Sequence, residues 1–262
     1  MSFNTLAYAC KTWDILVEVA KNKDIITYGD LAKKLDIHHR PIRLILGLIQ
    51  DYCIEEEKAP LTILVVSKNG VPGVGFIAYD INKVEDGKKK VYLSDISKED
   101  NPFCIKDTTE NELITILVTK PNQSKEIFHK IKSRGMKQIL FRKALLKAYN
   151  KKCAFLDITN ELTLEACHII PWSEAKEEEK MDIRNGILLN SFHHKLFDSG
   201  LITISKDYKI KVNKKLYDKK NISEIEQYLT IDLDGKKINL PTCKEQYPLY
   251  DFIKVHDKIV DF

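Results

Sequence analysis

His168, Asn185 and His194 lie within one short stretch of the chain, and their types suit proton transfer and metal binding. A neutral imidazole with an ordinary pKa of about 6.5 can take a proton near physiological pH. Asp198 follows His194 by four residues, so on a helix the two share a face and could grip one cation between nitrogen and oxygen. A side-chain amide such as Asn185 can bridge backbone groups and hold a loop in register.

The surrounding sequence supplies elements to position them. Leu162-Thr-Leu-Glu-Ala-Cys-His168-Ile-Ile-Pro-Trp172 reads as a strand ending at a proline, and residues 173–182 as a polar, acidic loop. Asn185-Gly-Ile-Leu-Leu189 reads as a turn and second strand, and Ser191-Phe-His-His-Lys-Leu-Phe-Asp198 as a helix ended by Gly200. Before them, Phe141, Leu145, Ala148 and Tyr149 mark the apolar face of another helix. The order is strand, loop, strand, helix, with His, Asn and His on successive elements.

Leu164-Glu-Ala-Cys-His-Ile-Ile-Pro171, Asn185-Gly-Ile-Leu-Leu189 and His194-Lys-Leu-Phe-Asp-Ser-Gly-Leu201 resemble the HNH endonuclease family, whose fold is the ββα-metal motif. The last segment, Tyr247-Pro-Leu-Tyr-Asp-Phe-Ile-Lys-Val-His256, resembles the ends of restriction-type members. The resemblance implies phosphodiester hydrolysis with His168 as the base that activates water. It implies His194 and Asp198 as ligands of one divalent ion, Mg²⁺ or Mn²⁺ first, with Zn²⁺ or Ni²⁺ open. Asn185 then positions the loop. Some members carry a metal ligand directly before the catalytic His, where this chain has Cys167; a thiolate there would favour a softer ion. Glu165 is the nearest acid, but strand alternation sets it opposite His168, so it stands as a weaker metal candidate. His193 is the alternative to His194, and His256 reads as structural. With no CxxC pairs, no structural zinc is expected.

In the N-terminal part, Trp13, Leu16, Val17 and Ala20, then Leu31, Ala32 and Leu35, then Ile42, Ile45, Leu46 and Ile49 give three helical stripes. Leu61-Thr-Ile-Leu-Val-Val66 reads as a buried strand before a Gly- and Pro-rich turn. Ile26-Thr-Tyr-Gly-Asp-Leu-Ala32 with residues 40–47 and 60–73 resembles the DNA-binding domain of alkyltransferase-like proteins. That family's reactive Cys-His-Arg would fall after Pro60, where Leu61-Thr-Ile63 stands, so the resemblance implies DNA binding without alkyl transfer. Arg40 and Arg43 become candidate DNA contacts on the third helix.

Between Lys120 and Lys152 eleven Lys and Arg face one acid, Glu126, whereas the first eighty residues are balanced. Lys143, Lys147 and Lys151 recur at four-residue intervals, so they are candidate phosphate contacts, or else an ordinary solvated helix face. Asp86-Gly-Lys-Lys-Lys90 reads as a hairpin tip and residues 113–118 as a strand. Six scattered cysteines read as reduced thiols. No apolar stretch is long enough for a membrane span and no signal-peptide pattern begins the chain, so a cytoplasmic protein is expected.

The resulting expectation is an α+β chain. Residues 1–80 form a winged-helix-like domain, 81–133 a β-containing connector and 134–262 the nuclease domain. The expected partner is double-stranded DNA, with no membrane and a homodimer left open. The expected role is restriction or phage defence; a non-catalytic DNA-binding protein on the same scaffold and an RNA-cleaving effector are the alternatives.

Overall fold

Helix α1 (Thr5–Lys21) starts at Asn4, whose side chain accepts from the Ala7 N–H at 3.1 Å. Leu6, Ala9, Trp13, Leu16 and Ala20 form its buried stripe. The computed structural model describes residues 4–218 and 221–262 and divides into two units.

The first unit holds residues up to 107 together with 131–137. After α1 come β1 (Ile26–Thr27), α2 (Tyr28–Leu35) and α3 (Ile42–Glu55). The three helices therefore match the three apolar stripes. The strand expected over residues 61–66 is instead a 3₁₀ turn, Leu61–Leu64, followed by the two-residue β2 (Val65–Val66), which pairs parallel with β1. All six residues are buried, so no alternation separates strand from helix in that run. Among the described residues of this unit no antiparallel hairpin follows α3, so the wing of a winged helix is not found.

The expected hairpin tip at residues 86–90 lies inside α4 (Val84–Leu93). Gly87 serves close packing there, since a Cβ would collide with Ile63 Cδ1 and come within 2.8 Å of the Tyr79 ring. Cys10 and Cys104 form a disulfide, which corrects the reading of six reduced thiols; Cys53, Cys153, Cys167 and Cys243 are free.

The second unit holds residues 108–130 and 138–262. It opens with α5 (Glu110–Thr119), α6 (Ser124–Lys130) and α7 (Arg134–Ala148), the last beginning among residues of the first unit. No strand occurs among residues 81–133, so the connector is helical rather than β-containing. Residues 113–118 belong to α5, which a full capping box of Thr109 and Glu112 starts.

Then follow β3 (Leu164–His168), the one-turn α8 (Glu177–Lys180) inside the expected polar loop, β4 (Gly186–Asn190) and α9 (Ser191–Asp198). The chain continues through β5 (Ile202–Ile204), β6 (Ile210–Val212), α10 (Lys214–Tyr217), α11 (Glu224–Leu229) and α12 (Tyr250–Ile259). Strands β3 and β4 pair antiparallel from Leu164 opposite Asn190 to His168 opposite Gly186. Strands β5 and β6 form a second antiparallel pair. No helix among the described residues is long and apolar enough to cross a membrane.

Helix α7 is the platform under the β3–β4 hairpin. A Cβ on Gly186 would meet Phe141 Cζ at 2.6 Å and Leu145 Cδ1 at 2.7 Å, so the glycine permits this approach. The Arg142 guanidinium donates to the carbonyls of Leu164 at 2.6 Å and Glu161 at 2.8 Å, which fixes the start of β3.

Candidate active site

Residues from β3, α9 and α12 enclose one cleft of about 380 Å³, lined by Ala166, His168, Pro171, His194, Asp198 and the α12 segment around His256. His168, at the end of β3, stacks on Phe141 with ring centroids 4.0 Å apart and meets the Trp172 ring edge-on at 5.7 Å. Its Nε2 lies 3.0 Å from the Lys180 carbonyl oxygen. A carbonyl only accepts, so Nε2 carries the proton and Nδ1 is the basic nitrogen of the neutral ring.

Asn185 is fully buried and does not face the cleft. Its Oδ1 accepts from the Ile170 N–H at 2.8 Å, and its Nδ2 donates to the carbonyls of Ile170 at 3.3 Å and Glu179 at 3.2 Å. One amide thus ties the segment after His168 to α8, whose Lys180 carbonyl holds the His168 ring.

His194 stands between two carboxylates. Nδ1 lies 2.6 Å from Glu165 Oε2, and Nε2 lies 3.3 Å from Asp198 Oδ2. Glu165 can only accept when ionised, so Nδ1 donates to it. With Nδ1 committed to Glu165, Nε2 and Asp198 Oδ2 face each other, an arrangement that either a proton on Nε2 or a metal cation bound by both atoms satisfies. This pair could hold a divalent ion between an imidazole nitrogen and a carboxylate oxygen, with Glu165 hydrogen-bonded to the far nitrogen of the ring. Glu165 reaches His194 Nδ1 from β3 and is not among the residues that line the cleft.

Cys167 is buried beneath the same pair, and its Sγ donates to Asp198 Oδ1 at 3.7 Å. Its sulfur, His194 and Asp198 offer atoms all within 4.8 Å of one another. Burial above all, then the Asp198 charge, pushes the thiol pKa well up. Cys167 as a thiol thus donates to Asp198, and its sulfur lies within reach of any cation that His194 and Asp198 would hold.

The neighbouring His193 points the other way. Asn190 Nδ2 donates to its Nδ1 at 2.7 Å, and its Nε2 donates to the Leu229 carbonyl at 2.8 Å. Burial depresses its pKa and keeps it neutral in the core. Asn190 also caps α9, accepting from Phe192 and His193 N–H, so this pair fixes the helix that presents His194. His256 is buried, stacks on Phe197 at 4.0 Å and donates to the Phe197 carbonyl at 3.1 Å.

The lysines expected to touch phosphate each have a partner within the protein. Lys143 forms an ion pair with Glu110, Lys147 donates to Thr115 Oγ1 at 3.1 Å, and Lys151 pairs with Glu161 at 2.7 Å. The first two thus bind α7 to α5. In the first unit Arg43 is exposed on α3 and borders a cavity of about 250 Å³ with Tyr28, Gln50, Thr62 and Phe76. Arg40 is exposed but lies two residues before α3 begins. Sequence reasoning misses the role of Arg142, which enters it only as charge, and that of the Lys180 carbonyl, for which no sequence signal exists.

Residues 153–205 match the HNH endonuclease family model. The matched segment contains His168, Asn185, His194 and Asp198, and it spans β3 through β5. It points to a nuclease with nucleic acid as substrate. The HNH family usually works with a divalent metal, which agrees with the paired donors of His194 and Asp198. No curated protein matches the chain.

Proposed function

We propose that the protein is a metal-dependent endonuclease that hydrolyses DNA phosphodiester bonds. The observation that carries this reading is the convergence of His168, His194 and Asp198 on one cleft inside the HNH-matched segment. His168 Nδ1 takes the proton of the attacking water, while the Lys180 carbonyl and the Phe141 ring hold the imidazole in the required tautomer and plane. His194 and Asp198 hold one divalent ion, Mg²⁺ or Mn²⁺. That ion supplies Lewis-acid stabilisation of the phosphate and leaving oxygen. Asn185 is a positioning residue, because it acts through the loop backbone.

The full chain with Mg²⁺ or Mn²⁺ is expected to nick or linearise plasmid DNA, and EDTA to stop it. Incision that persists in EDTA would exclude metal dependence. Cleavage of RNA but not DNA would transfer the reading to an RNA-cutting effector. Running the assay on methylated, hydroxymethylated and unmodified DNA tests the proposed role in restriction or phage defence.

The first unit is the proposed source of target choice, with Arg40 and Arg43 as its contacts. Arg40→Ala combined with Arg43→Ala is expected to weaken DNA binding and flatten its dependence on salt. The log–log slope should shrink by about 0.9 for each phosphate that is no longer neutralised. Unchanged affinity and slope would remove these arginines from the interface.

A further inference from the structure

Exposed lysines crowd the β5–β6 hairpin and the segment paired to it. In β6, Ile210 and Val212 are buried while Lys211 faces outward, and Lys209 shares that outward face two residues earlier. Residues 236–238 pair alongside, with Ile210 N–H donating to the Lys236 carbonyl at 2.8 Å and Ile238 N–H to the Tyr208 carbonyl at 3.0 Å. This pairing sets Lys209 directly opposite Lys237 in an antiparallel bridge. Like charges facing each other across strands are destabilising. The register brings them together although neither is needed for the core, since both are exposed.

Part of the earlier basic run is paired within the protein. Between residues 120 and 152, Lys125, Lys143, Lys151 and Lys152 are all in ion pairs. Lys209, Lys211 and Lys237 make no ion pair with a described residue. The nearby Asp234 accepts from the Val212 N–H at 3.0 Å, which ties it to the backbone, and Asp207 lies at the hairpin turn.

The lysine face also adjoins the wall of the catalytic cleft. Lys211 Nζ lies 5.3 Å from the centre of the Phe262 ring, and the Phe262 N–H donates to the Asp257 carbonyl at 3.0 Å. Thr203, opposite Lys211 in the hairpin, donates to Asp257 Oδ1 at 2.5 Å. The end of the same helix, Ile259, and Val260 just after it belong to the cleft lining. A strand of nucleic acid leaving the cleft over α12 would meet these lysines.

We propose that Lys209, Lys211 and Lys237 form a contact surface for the phosphate backbone of DNA bound in the cleft. A polyanion converts the Lys209–Lys237 repulsion into shared attraction. The proposal takes its ligand from the nuclease reading, but its test does not depend on cleavage.

The test uses the full chain and a fluorescent duplex of about 30 base pairs in EDTA, long enough to span several phosphate contacts, with affinity read by anisotropy across a salt series. The triple variant Lys209→Gln, Lys211→Gln, Lys237→Gln is expected to bind roughly tenfold or more weakly near 0.1 M salt. Its log–log salt slope should fall by about two to three. The corresponding triple Lys→Arg variant should bind as wild type does, and equal melting temperatures control for folding. Wild-type affinity and slope in the Gln variant would overturn the surface and leave an acidic protein as its partner. Cleavage in Mg²⁺ is scored separately by wild type and His168→Ala, so the catalytic reading can fail while the slope comparison still decides the surface.

Discussion

Replacing His168 by alanine is expected to lower DNA cleavage about 100- to 10,000-fold, the usual contribution of a positioned general base. The effect should lie in the rate at saturating metal and DNA, because His168 is not one of the two cation donors. Its Nε2 is held by the Lys180 carbonyl, and its ring packs on Phe141. Removing the ring leaves a gap at that stack, so some stability is lost as well. His168→Gln separates the two effects, since its amide can still donate to the Lys180 carbonyl while offering no comparable base. The Gln variant should melt close to wild type, bind duplex normally and remain inactive. Undiminished cleavage by either variant would remove His168 from the chemistry.

The parts of this site that the sequence makes visible are the local ones. The β3 segment, the Asn185–Gly186 turn and α9 each follow from short-range pattern, and His194 and Asp198 share a face by helical spacing alone. What joins them is non-local. Glu165 sits opposite Leu189 in the hairpin, and the chain turns from β4 directly into α9, which carries His194 back over the β3 strand. Alternation within one strand cannot reveal that return. The same holds for Lys143 and Lys151, whose partners Glu110 and Glu161 lie outside the basic run itself.

The differences elsewhere have equally specific causes. Residues 113–118 resemble a strand because Ile and Val favour one, yet Thr109 and Glu112 already mark a helix start. Gly87 carries the composition of a turn, whereas it makes room for Ile63 and Tyr79 inside a helix. The Cys10–Cys104 disulfide joins residues 94 positions apart, a pairing that spacing does not encode. It also removes one of the supports for a reducing, cytoplasmic setting.

The second large effect is expected on metal binding. His194→Ala should abolish measurable Mn²⁺ binding by calorimetry and, with it, cleavage, because only Asp198 is left on the ionised side of the pair. Glu165→Gln is the more informative change. The amide oxygen can still accept from His194 Nδ1–H, but the negative charge that makes the imidazole a stronger donor is gone. Loss of that charge should weaken metal affinity about 10- to 100-fold, or roughly 1.4–2.7 kcal/mol. Cleavage at saturating Mn²⁺ should recover most of the wild-type rate, since Glu165 acts through His194 and not on the substrate. Were Glu165 itself a ligand or a catalytic acid, saturation would not restore the rate. Were it merely structural, the melting temperature would fall while metal affinity stayed as in wild type. The 2.6 Å contact to Nδ1, with Asp198 3.3 Å from Nε2 on the other side of the ring, favours the first outcome, because Glu165 touches the imidazole and not the cleft.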